Sequence, residues 1–509
     1  MRQIYGGLPA TTYGLFLGYL NVPAHVYATA RVVMMLPWSF KFAFGLLNDT
    51  RPIGGYRRKP YMALGWALCA LMLLRLALTT LPPPYYCLDE TTRRPLTDEP
   101  PCNPSAADAG GHYALMMMLA ALGYVVADVA ADGLTVEIAR REPERRRGRT
   151  QTAAYMTRSL GVVLSMLLVG FGMNGAEYNG SFEAGLSFNA ICGLLALPAA
   201  AMAPVSWLMI DEPACTAHVD ARAYLRLTWE LLCSKAMFYV VCFQFLSAGV
   251  LSISTPATGE VKQHWAGVKN LPAQLFGVAG YGLFIAGLSL VRSRLLGVDW
   301  RLILLVSQAS LQLIDMPFAF CTIFDVVRNQ YFYLGETFLI EIPDGANFIV
   351  STYVIVEMAE NGNEGLVYGL LTTTYNLGAP LGRAVGNQLY ALFSPPLDDA
   401  QNYVDDTLAF RNTVAASYAL SYGFAFLSLV SLLLLPSQKA EAQRRKKHWP
   451  RHPRYAAAII TMVGLALTYA LLVNFLSMFE ATACLRFAGG QGCESDAAAE
   501  PDPEGGSSQ

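Results

Sequence analysis

Long apolar stretches recur through the whole sequence, and they constrain the fold more than any other feature. A helix needs roughly 20 mostly apolar residues to cross the hydrocarbon layer of a membrane, and short loops rich in charge, proline or glycine separate the stretches here. Backbone groups in lipid must bond within their own element, and alternating barrel-type strands do not occur, so the stretches are predicted to be helices. Hydrophobic residues make up 54% of the chain and charged residues 15%, as expected for a lipid environment.

The stretches predict thirteen membrane spans. Residues 1–22 lack the pattern of a removable signal peptide, so we expect the short, glycine-rich first span to be retained. The thirteen predicted spans are 5–22, 26–48, 61–81, 113–138, 151–173, 186–209, 236–257, 274–292, 300–320, 332–357, 365–392, 411–436 and 455–479.

Lysine and arginine are concentrated in alternate loops, which predicts the orientation of the chain. With the N-terminus inside, 23 such residues fall in the inside segments, which are 49–60, 139–150, 210–235, 292–301, 358–364 and 437–454. Only 6 fall in the outside segments, which are 82–112, 174–185, 258–273, 321–331, 393–410 and 480–509. Basic residues are retained on the cytoplasmic side, so the N-terminus is predicted to be cytoplasmic. The plasma membrane is favoured because the sequence has no transit-like leader.

Three features of the predicted outer face agree with this orientation. Asn179 begins a glycosylation sequon, Cys87 and Cys102 share the longest outer loop, and Cys484 and Cys493 share the outer tail. An oxidising compartment permits a Cys87–Cys102 disulfide without requiring one. Bridged and free cysteines therefore remain alternatives.

Six spans precede a polar central segment and six follow it before an extra terminal span, which predicts an all-α membrane protein with the two six-helix bundles of the major facilitator architecture. The predicted units are the N-terminal bundle 1–209, the central cytoplasmic loop 210–235, the C-terminal bundle 236–436, the basic linker 437–454, an additional span 455–479 and a disordered polar tail 480–509.

Short basic loops follow the second and eighth spans, at Asp49–Pro60 and Arg292–Arg301. They are expected either to hold the two halves together at the cytoplasmic face or only to set topology. A third basic run, Gln443–His448, is expected to lie against anionic inner-leaflet lipids.

Charges inside predicted spans are functional candidates, because a charge in lipid costs several kcal/mol unless it faces protein or water. They are Arg31, Lys41, Arg75, Asp128, Asp132, Arg158, Asp315, Glu336, Glu341, Asp344 and Arg383.

Asp128 and Asp132 are four residues apart, so one helix face presents both carboxylates. Burial and mutual repulsion would raise the proton affinity of at least one of them, as proton coupling requires. Alternatively, the two acids form structural ion pairs with Lys41 or Arg158. Glu137 is expected to pair with neighbouring basic residues.

The tenth span carries Glu341 and Asp344 on one face, with Pro343 interrupting the helix between them. Either the broken helix lines a cavity or the proline only kinks it and the acids face an aqueous vestibule. Arg383 lies among small neighbours that would let its side chain reach the bundle interior. It would suit an anionic substrate group, or an ion pair with Glu341 or Asp344.

Enzyme signatures are missing from the sequence, which has no Gly-Lys-Ser/Thr phosphate loop, no His-Glu-x-x-His pair and no close Cys/His cluster. We therefore predict no enzymatic activity, no cofactor, no metal and no nucleic-acid partner.

Four stretches carry a resemblance to a known family. They are Pro37-Trp38 through Lys41 to Asp49 with the loop 52–59, Ala127–Gly133 with Val136, Glu137 and Arg140, Gln151 through Arg158 to Gly161, and Glu364–Leu371 with Asn376–Gly378. Together they resemble the folate/biopterin transporter family of the major facilitator superfamily. The chain departs from the family pattern at Phe42, at Ala359–Asn361, and at Glu341 and Asp344. These departures bear on the substrate and not on the fold.

The resemblance implies transport of folates, pterins or related conjugates, coupled to protons. By the same resemblance, Asp128 and Asp132 would carry coupling or substrate-amine contacts, and Lys41 and Arg158 would complete the network. Asp49, Arg57 and Arg58 would form a cytoplasmic gate. The alternatives are a transporter of another polar or anionic solute on the same fold, and a membrane receptor or scaffold that transports nothing.

Overall fold

The computed structural model describes residues 3–22, 24–96, 99–143, 146, 148–178, 180, 182–214, 221–268, 270–360, 363–397, 400–476, 482 and 485. Across these ranges the chain is helical, and its extended pairing is limited to isolated bridges such as Ile53 with Tyr56.

The N-terminal half contains seven helices that supply the first six predicted spans. They are α1 (Gln3–Thr12), α2 (Ala24–Met35), α3 (Lys41–Thr50), α4 (Lys59–Leu78), α5 (Gly110–Arg141), α6 (Arg149–Gly172) and α7 (Phe188–Leu208). A π-helical segment, Tyr13–Tyr19, extends α1, and the 3₁₀ turn Leu36–Phe40 joins α2 to α3. Pro37 lies at the start of that turn, and because it has no N–H to donate it interrupts the second span.

The C-terminal half follows a short helix in the central segment, α8 (Ala221–Leu232). Its helices are α9 (Lys235–Leu251), α10 (Ala257–Glu260), α11 (Asn270–Leu290), α12 (Trp300–Ile323), α13 (Gln330–Leu339), α14 (Glu341–Met358), α15 (Glu364–Tyr390), α16 (Ala400–Asp405) and α17 (Leu408–Ser428). Two more helices, α18 (Lys439–His448) and α19 (Pro453–Leu476), follow.

Each of the thirteen predicted spans coincides with a helix or with two consecutive helices. In the part of the chain that the structure describes, nine helical segments are long and apolar enough to cross a membrane. Two segments the sequence assigned to a loop and a linker, 210–235 and 437–454, contain α8 and α18. The proposed unit boundaries remain predictions.

The two halves meet at the end of the bundle that carries the basic loops 49–60 and 139–149, here called the basic end. One buried apolar cluster there combines Val136 and Tyr155 of the first half with Ile349, Tyr353 and Tyr368 of the second. A Cβ on Gly45 of α3 would overlap the Gly365 carbonyl oxygen of α15, so the two backbones are in direct contact. The halves are therefore closed together at the basic end.

The basic run Gln443–His448 is only partly available to lipid. Arg444, Lys447 and His448 are exposed, whereas Lys446 donates to the Ala359 carbonyl at 2.9 Å and Gln443 donates to the Glu357 carboxylate at 2.6 Å. The run was expected to face lipid, but half of it docks on the end of α14 because that helix ends in carbonyl and carboxylate acceptors.

The opposite end of the bundle carries a disulfide between Cys87 and Cys102, whose Cα atoms are 5.2 Å apart. The sequon at Asn179 and the cysteines at 484 and 493 lie outside the described residues.

Candidate functional site

A cavity of about 260 Å³ lies between the two halves, roughly midway along the bundle. Its N-terminal wall comes from α5, α6 and the α2–α3 junction, and includes Lys41, Asp128, Asp132 and Arg158. Its C-terminal wall comes from α9, α12, α14, α15 and the turn after α17. The volume falls just below the roughly 300–1,000 Å³ of typical ligand pockets, so a small polar solute fits it.

Four charged side chains on the N-terminal wall form one network. Lys41 Nζ lies 2.8 Å from Asp128 Oδ2 and 3.8 Å from Asp132 Oδ2. Arg158 contacts Asp132 Oδ1 at 2.5 Å and Asp128 Oδ1 at 3.4 Å. Each side chain is at most 8% exposed, so the two cations and two anions neutralise one another in a nearly dry site.

Local sequence explains how the network is assembled. The spacing of Asp128 and Asp132 places both on one face of α5, and small residues let α5 approach α4 closely. A Cβ on Gly65 would lie 2.6 Å from the Gly123 carbonyl oxygen. Lys41 is the first residue of α3, immediately after the turn around Pro37, and this bend points its long side chain across the bundle.

Tyrosines from both halves surround the network. Tyr124 donates to Asp128 Oδ1 at 3.2 Å. The hydroxyls of Tyr155 on α6 and Tyr368 on α15 are 2.6 Å apart. Arg158 lies over the Tyr155 ring and Lys41 near the Tyr368 ring, at 5.2 and 5.9 Å from the centroids. The charges therefore sit against aromatic faces that link the two halves.

The C-terminal wall is polar but carries a single charge among the described residues. Asp344, Asn347, Phe348 and Ser351 project from one face of α14 into the cavity. Gln308 of α12 accepts a hydrogen bond from the Asn347 amide at 3.4 Å. No described residue forms an ion pair or a hydrogen bond with the Asp344 carboxylate.

A second buried charge cluster closes the cavity at the basic end. Arg58, fully buried, lies 2.6 Å from Asp49 Oδ1 and 3.6 Å from Glu364 Oε2. Tyr224 of α8 donates to Asp49 Oδ2 at 3.0 Å, and the Leu366 amide donates to the same oxygen at 2.8 Å. Residues of α3, the following loop, α8 and α15 are thereby tied together.

Electrostatics within this cluster favour its charged form. Burial opposes the charge on Arg58, but Asp49 and Glu364 outweigh it and raise the pKa of the guanidinium above its usual value. Burial and the neighbouring Asp49 carboxylate raise the pKa of Tyr224, which keeps its hydroxyl protonated as a donor.

The loop that carries Arg58 is held by a carboxylate from the central segment. Glu212 accepts the backbone N–H groups of Arg57, Arg58 and Lys59 at 2.9–3.0 Å, which satisfies donors at the start of α4. Among the described residues, Arg57 takes part through its backbone N–H and not through its guanidinium.

The model of the BT1 family matches residues 7–83 and 106–441. The chain belongs to the BT1 family.

An individual relative shares only a low sequence identity with this chain. A folate-biopterin transporter of Synechocystis sp. is 22% identical over 380 residues, which cover 69% of this chain and 65% of that protein. The chain thus spans slightly less than two thirds of this relative's length. Its name agrees with the prediction that this BT1 chain is not an enzyme.

Solved structures confirm the predicted major facilitator fold. The proton:xylose symporter XylE superposes with a TM-score of 0.52 at 11% identity, covering 88% of this chain and 99% of XylE. A bacterial homologue of the iron transporter ferroportin gives a TM-score of 0.51 at 13% identity, with 85% and 98% coverage.

The structure of this BT1 chain brings most of the predicted site residues together. Lys41, Asp128, Asp132, Arg158 and Asp344 line the cavity, and Asp49 and Arg58 form the closure at the basic end.

Glu341 and Arg383 are placed differently. Glu341 is the first residue of α14, next to Gly280 of α11, and is not among the described cavity-lining residues. Arg383 is exposed and makes no ion pair with Glu341 or Asp344. It follows the cavity-lining Asn376 by two helical turns on the same face of α15, toward the opposite end.

Other intramembrane charges lie away from the cavity. Arg31 and Arg75 are exposed, and Asp315 accepts a hydrogen bond from Tyr422 at 2.6 Å.

Two further expectations concern the basic loops. Glu137 pairs with Arg141 at 2.5 Å, as expected. In the second basic loop, Arg301 donates to the Leu435 carbonyl of its own half.

Several residues of the site were given no role by the sequence, although three of them lie in stretches that carry the family resemblance. Tyr155, Tyr368, Gln308, Glu364 and Tyr224 acquire their roles only because distant segments meet. A tyrosine in an apolar helix reads as packing, and Tyr155 and Tyr368 are 213 positions apart.

Proposed function

We propose that the protein is a secondary transporter that moves folate, pterin or a related polar organic solute across a membrane, coupled to protons. The observation that carries this proposal is the buried, neutral network of Lys41, Asp128, Asp132 and Arg158 on the wall of a cavity between two halves. Membership of the BT1 family and the name of the Synechocystis relative support the substrate class.

Charge balance gives a physical route to coupling. When Asp132 takes up a proton, Arg158 loses its closest partner at 2.5 Å, and the network gains one net positive charge. A buried uncompensated cation is costly, so an anionic solute group then binds favourably to Arg158 or Lys41. Proton and anion would therefore enter together, and release of one would expel the other.

Alternating access follows from the closure at the basic end. The Asp49–Arg58–Glu364 cluster holds the halves together there, so the cavity is reached from the opposite end. Opening would separate Glu364 on α15 from Arg58, and transport would exchange this closure for one at the other end. We place the basic end in the cytoplasm, following its charge, and favour the plasma membrane.

The test is uptake of labelled folic acid and biopterin into proteoliposomes containing the full-length protein, with and without an inward proton gradient. We expect gradient-dependent uptake in the wild type and its loss in Asp132→Asn. Glu230→Gln, which changes an exposed carboxylate on α8, serves as the matched control and should transport normally.

Gradient-independent uptake would refute coupling, and equal coupling in Asp132→Asn would refute the role of the network. Absence of uptake of both compounds by folded protein would favour the alternative of another anionic or polar solute on the same fold.

A further inference from the structure

The C-terminal wall of the cavity contains an acceptor that no protein group uses. Asp344 lies in the first turn of α14, and its carboxylate has neither an ion pair nor a hydrogen bond within the described part of the chain. An ionised carboxylate offers acceptor sites on two oxygens. Asp344 lines the cavity, so its carboxylate is available to a solute.

A donor without a partner belongs to the same cavity wall. Gln308 is 7% exposed and lines the same cavity, and its Nε2 has no hydrogen-bond partner in the described residues. Its Oε1 accepts from Asn347, one turn along α14 from Asp344. A buried amide donor without a partner is costly, so a bound group that accepts from it would be stabilised.

We propose that Asp344 and Gln308 form a subsite that reads the edge of a heterocycle presenting two adjacent N–H donors followed by a carbonyl. The carboxylate accepts both N–H groups side by side, as it would from a guanidinium, and the Gln308 amide donates to the carbonyl. The 2-amino-4-oxo edge of a pterin has this order of donors and acceptor.

The inference deepens the proposed function and rests on it, because it orients the solute across the cavity. The donor edge lies against Asp344, and an anionic group at the other end of the solute lies against Lys41 and Arg158. Aromatic residues lie between, with the rings of Tyr155 and Phe348 in contact at 4.9 Å between centroids. A flat ring system would stack there.

The experiment compares two ligands that differ at one atom of this edge. 6-Carboxypterin has a 2-amino group, and 6-carboxylumazine has an oxygen in its place, so the order donor, donor, acceptor becomes acceptor, donor, acceptor. Equilibrium binding to the purified full-length protein is measured at neutral pH for the wild type, Asp344→Asn, Gln308→Met and Asp315→Asn. Asp315 is a carboxylate of the same half that does not line the cavity.

We expect the wild type to prefer the pterin by about tenfold or more, the usual scale for hydrogen bonds to a charged group. In Asp344→Asn the preference should vanish or invert, because an amide donates to the lumazine 2-oxygen while accepting from its N3–H. Gln308→Met should weaken the binding of both ligands about equally, since both ligands keep the 4-oxygen. Asp315→Asn should behave as the wild type.

Each contrary result has a distinct meaning. Equal wild-type affinity for the two ligands, or a pterin preference that survives in Asp344→Asn, overturns this subsite and leaves the proposed function standing. Wild-type protein that is folded and binds neither ligand overturns both the subsite and the pterin substrate.

Discussion

The N-terminal wall of the cavity carries four charges that neutralise one another, whereas the C-terminal wall carries one charge, Asp344, that no described residue neutralises. Both walls line the same cavity between the two halves. Ion pairing holds the side chains of the first set in place, because the loss of one charge leaves its partner buried without compensation. The Asp344 carboxylate on the second wall remains available to hydrogen-bond a solute that enters the cavity.

This difference suggests that the two halves have different roles in transport. The first half would hold the charge that couples solute to proton, and the second would recognise the uncharged part of the solute. The contrast can be tested by removing one charge at a time, since the same substitution should have different consequences in the two halves.

Asp132→Asn should have the largest effect. The variant leaves Lys41 and Arg158 with Asp128 as their only acidic partner in the network, and breaking a buried pair costs about 3–5 kcal/mol. We expect proton-driven uptake to fall on the order of a hundredfold, in line with the contribution of a positioned proton-transfer group. Uptake per folded molecule and chemical unfolding in detergent measure the two effects.

The double variant Asp132→Asn with Arg158→Gln is the matched control, because it restores neutrality. It should recover most of the lost stability without recovering coupled uptake. Equal instability of the single and double variants would show that packing, and not charge balance, holds this wall together.

Gly45→Ala should have the next largest effect, by separating the halves at the basic end. The added methyl group would overlap the Gly365 carbonyl, and overpacking costs roughly 1–3 kcal/mol, enough to shift the closed population about tenfold. Spin labels at the exposed positions Arg51 and Lys447, in a background without free cysteines, should report a longer distance between the halves. Gly423→Ala on α17, where the methyl group meets open space, should leave the distance between the two spin labels unchanged.

The contrast between the walls was only half visible in the sequence. The spacing of Asp128 and Asp132 made them candidates. Asp49 and Arg58 were candidates because they lie in a short polar loop between apolar spans. Hydropathy also locates the spans, because lipid imposes a length and a composition on each.

What the sequence could not supply is the meeting of distant segments. Glu212 and Tyr224 lie in a central segment that reads as a polar loop, yet one caps α4 and the other bonds Asp49. The direction in which a side chain points from its helix also decides whether an acidic residue contacts a basic one. The residues alone therefore left open whether Asp344 was paired, as an ion pair with Arg383 remained an alternative.

A smaller effect is expected at a paired site outside the membrane span. Burial alone would raise the pKa of Asp406, but hydrogen bonds from Arg328 and Arg411 lower it to about 2. Because the folded pKa lies below the ordinary 3.8, the carboxylate stabilises the fold above that pH, and its contribution is lost as pH falls toward 2.

We therefore expect Asp406→Asn to lower the free energy of unfolding by about 1 kcal/mol at neutral pH, as for a partly solvated ion pair. The difference from the wild type should shrink to nothing in acid. A difference that is the same at both pH values would mean that hydrogen-bond geometry, and not charge, holds Arg328 and Arg411.

The smallest effect on stability should come from acids of the second half that form no ion pair. In Glu341→Gln and Asp315→Asn no buried cation loses a partner, because neither acid forms an ion pair in the described part of the chain. Removing an uncompensated buried charge relieves desolvation, so unfolding free energies should stay within about 0.5 kcal/mol of the wild type or rise. A loss as large as that of Asp132→Asn in the same unfolding assay would mean that these acids are paired after all, and the two halves would then treat charge alike.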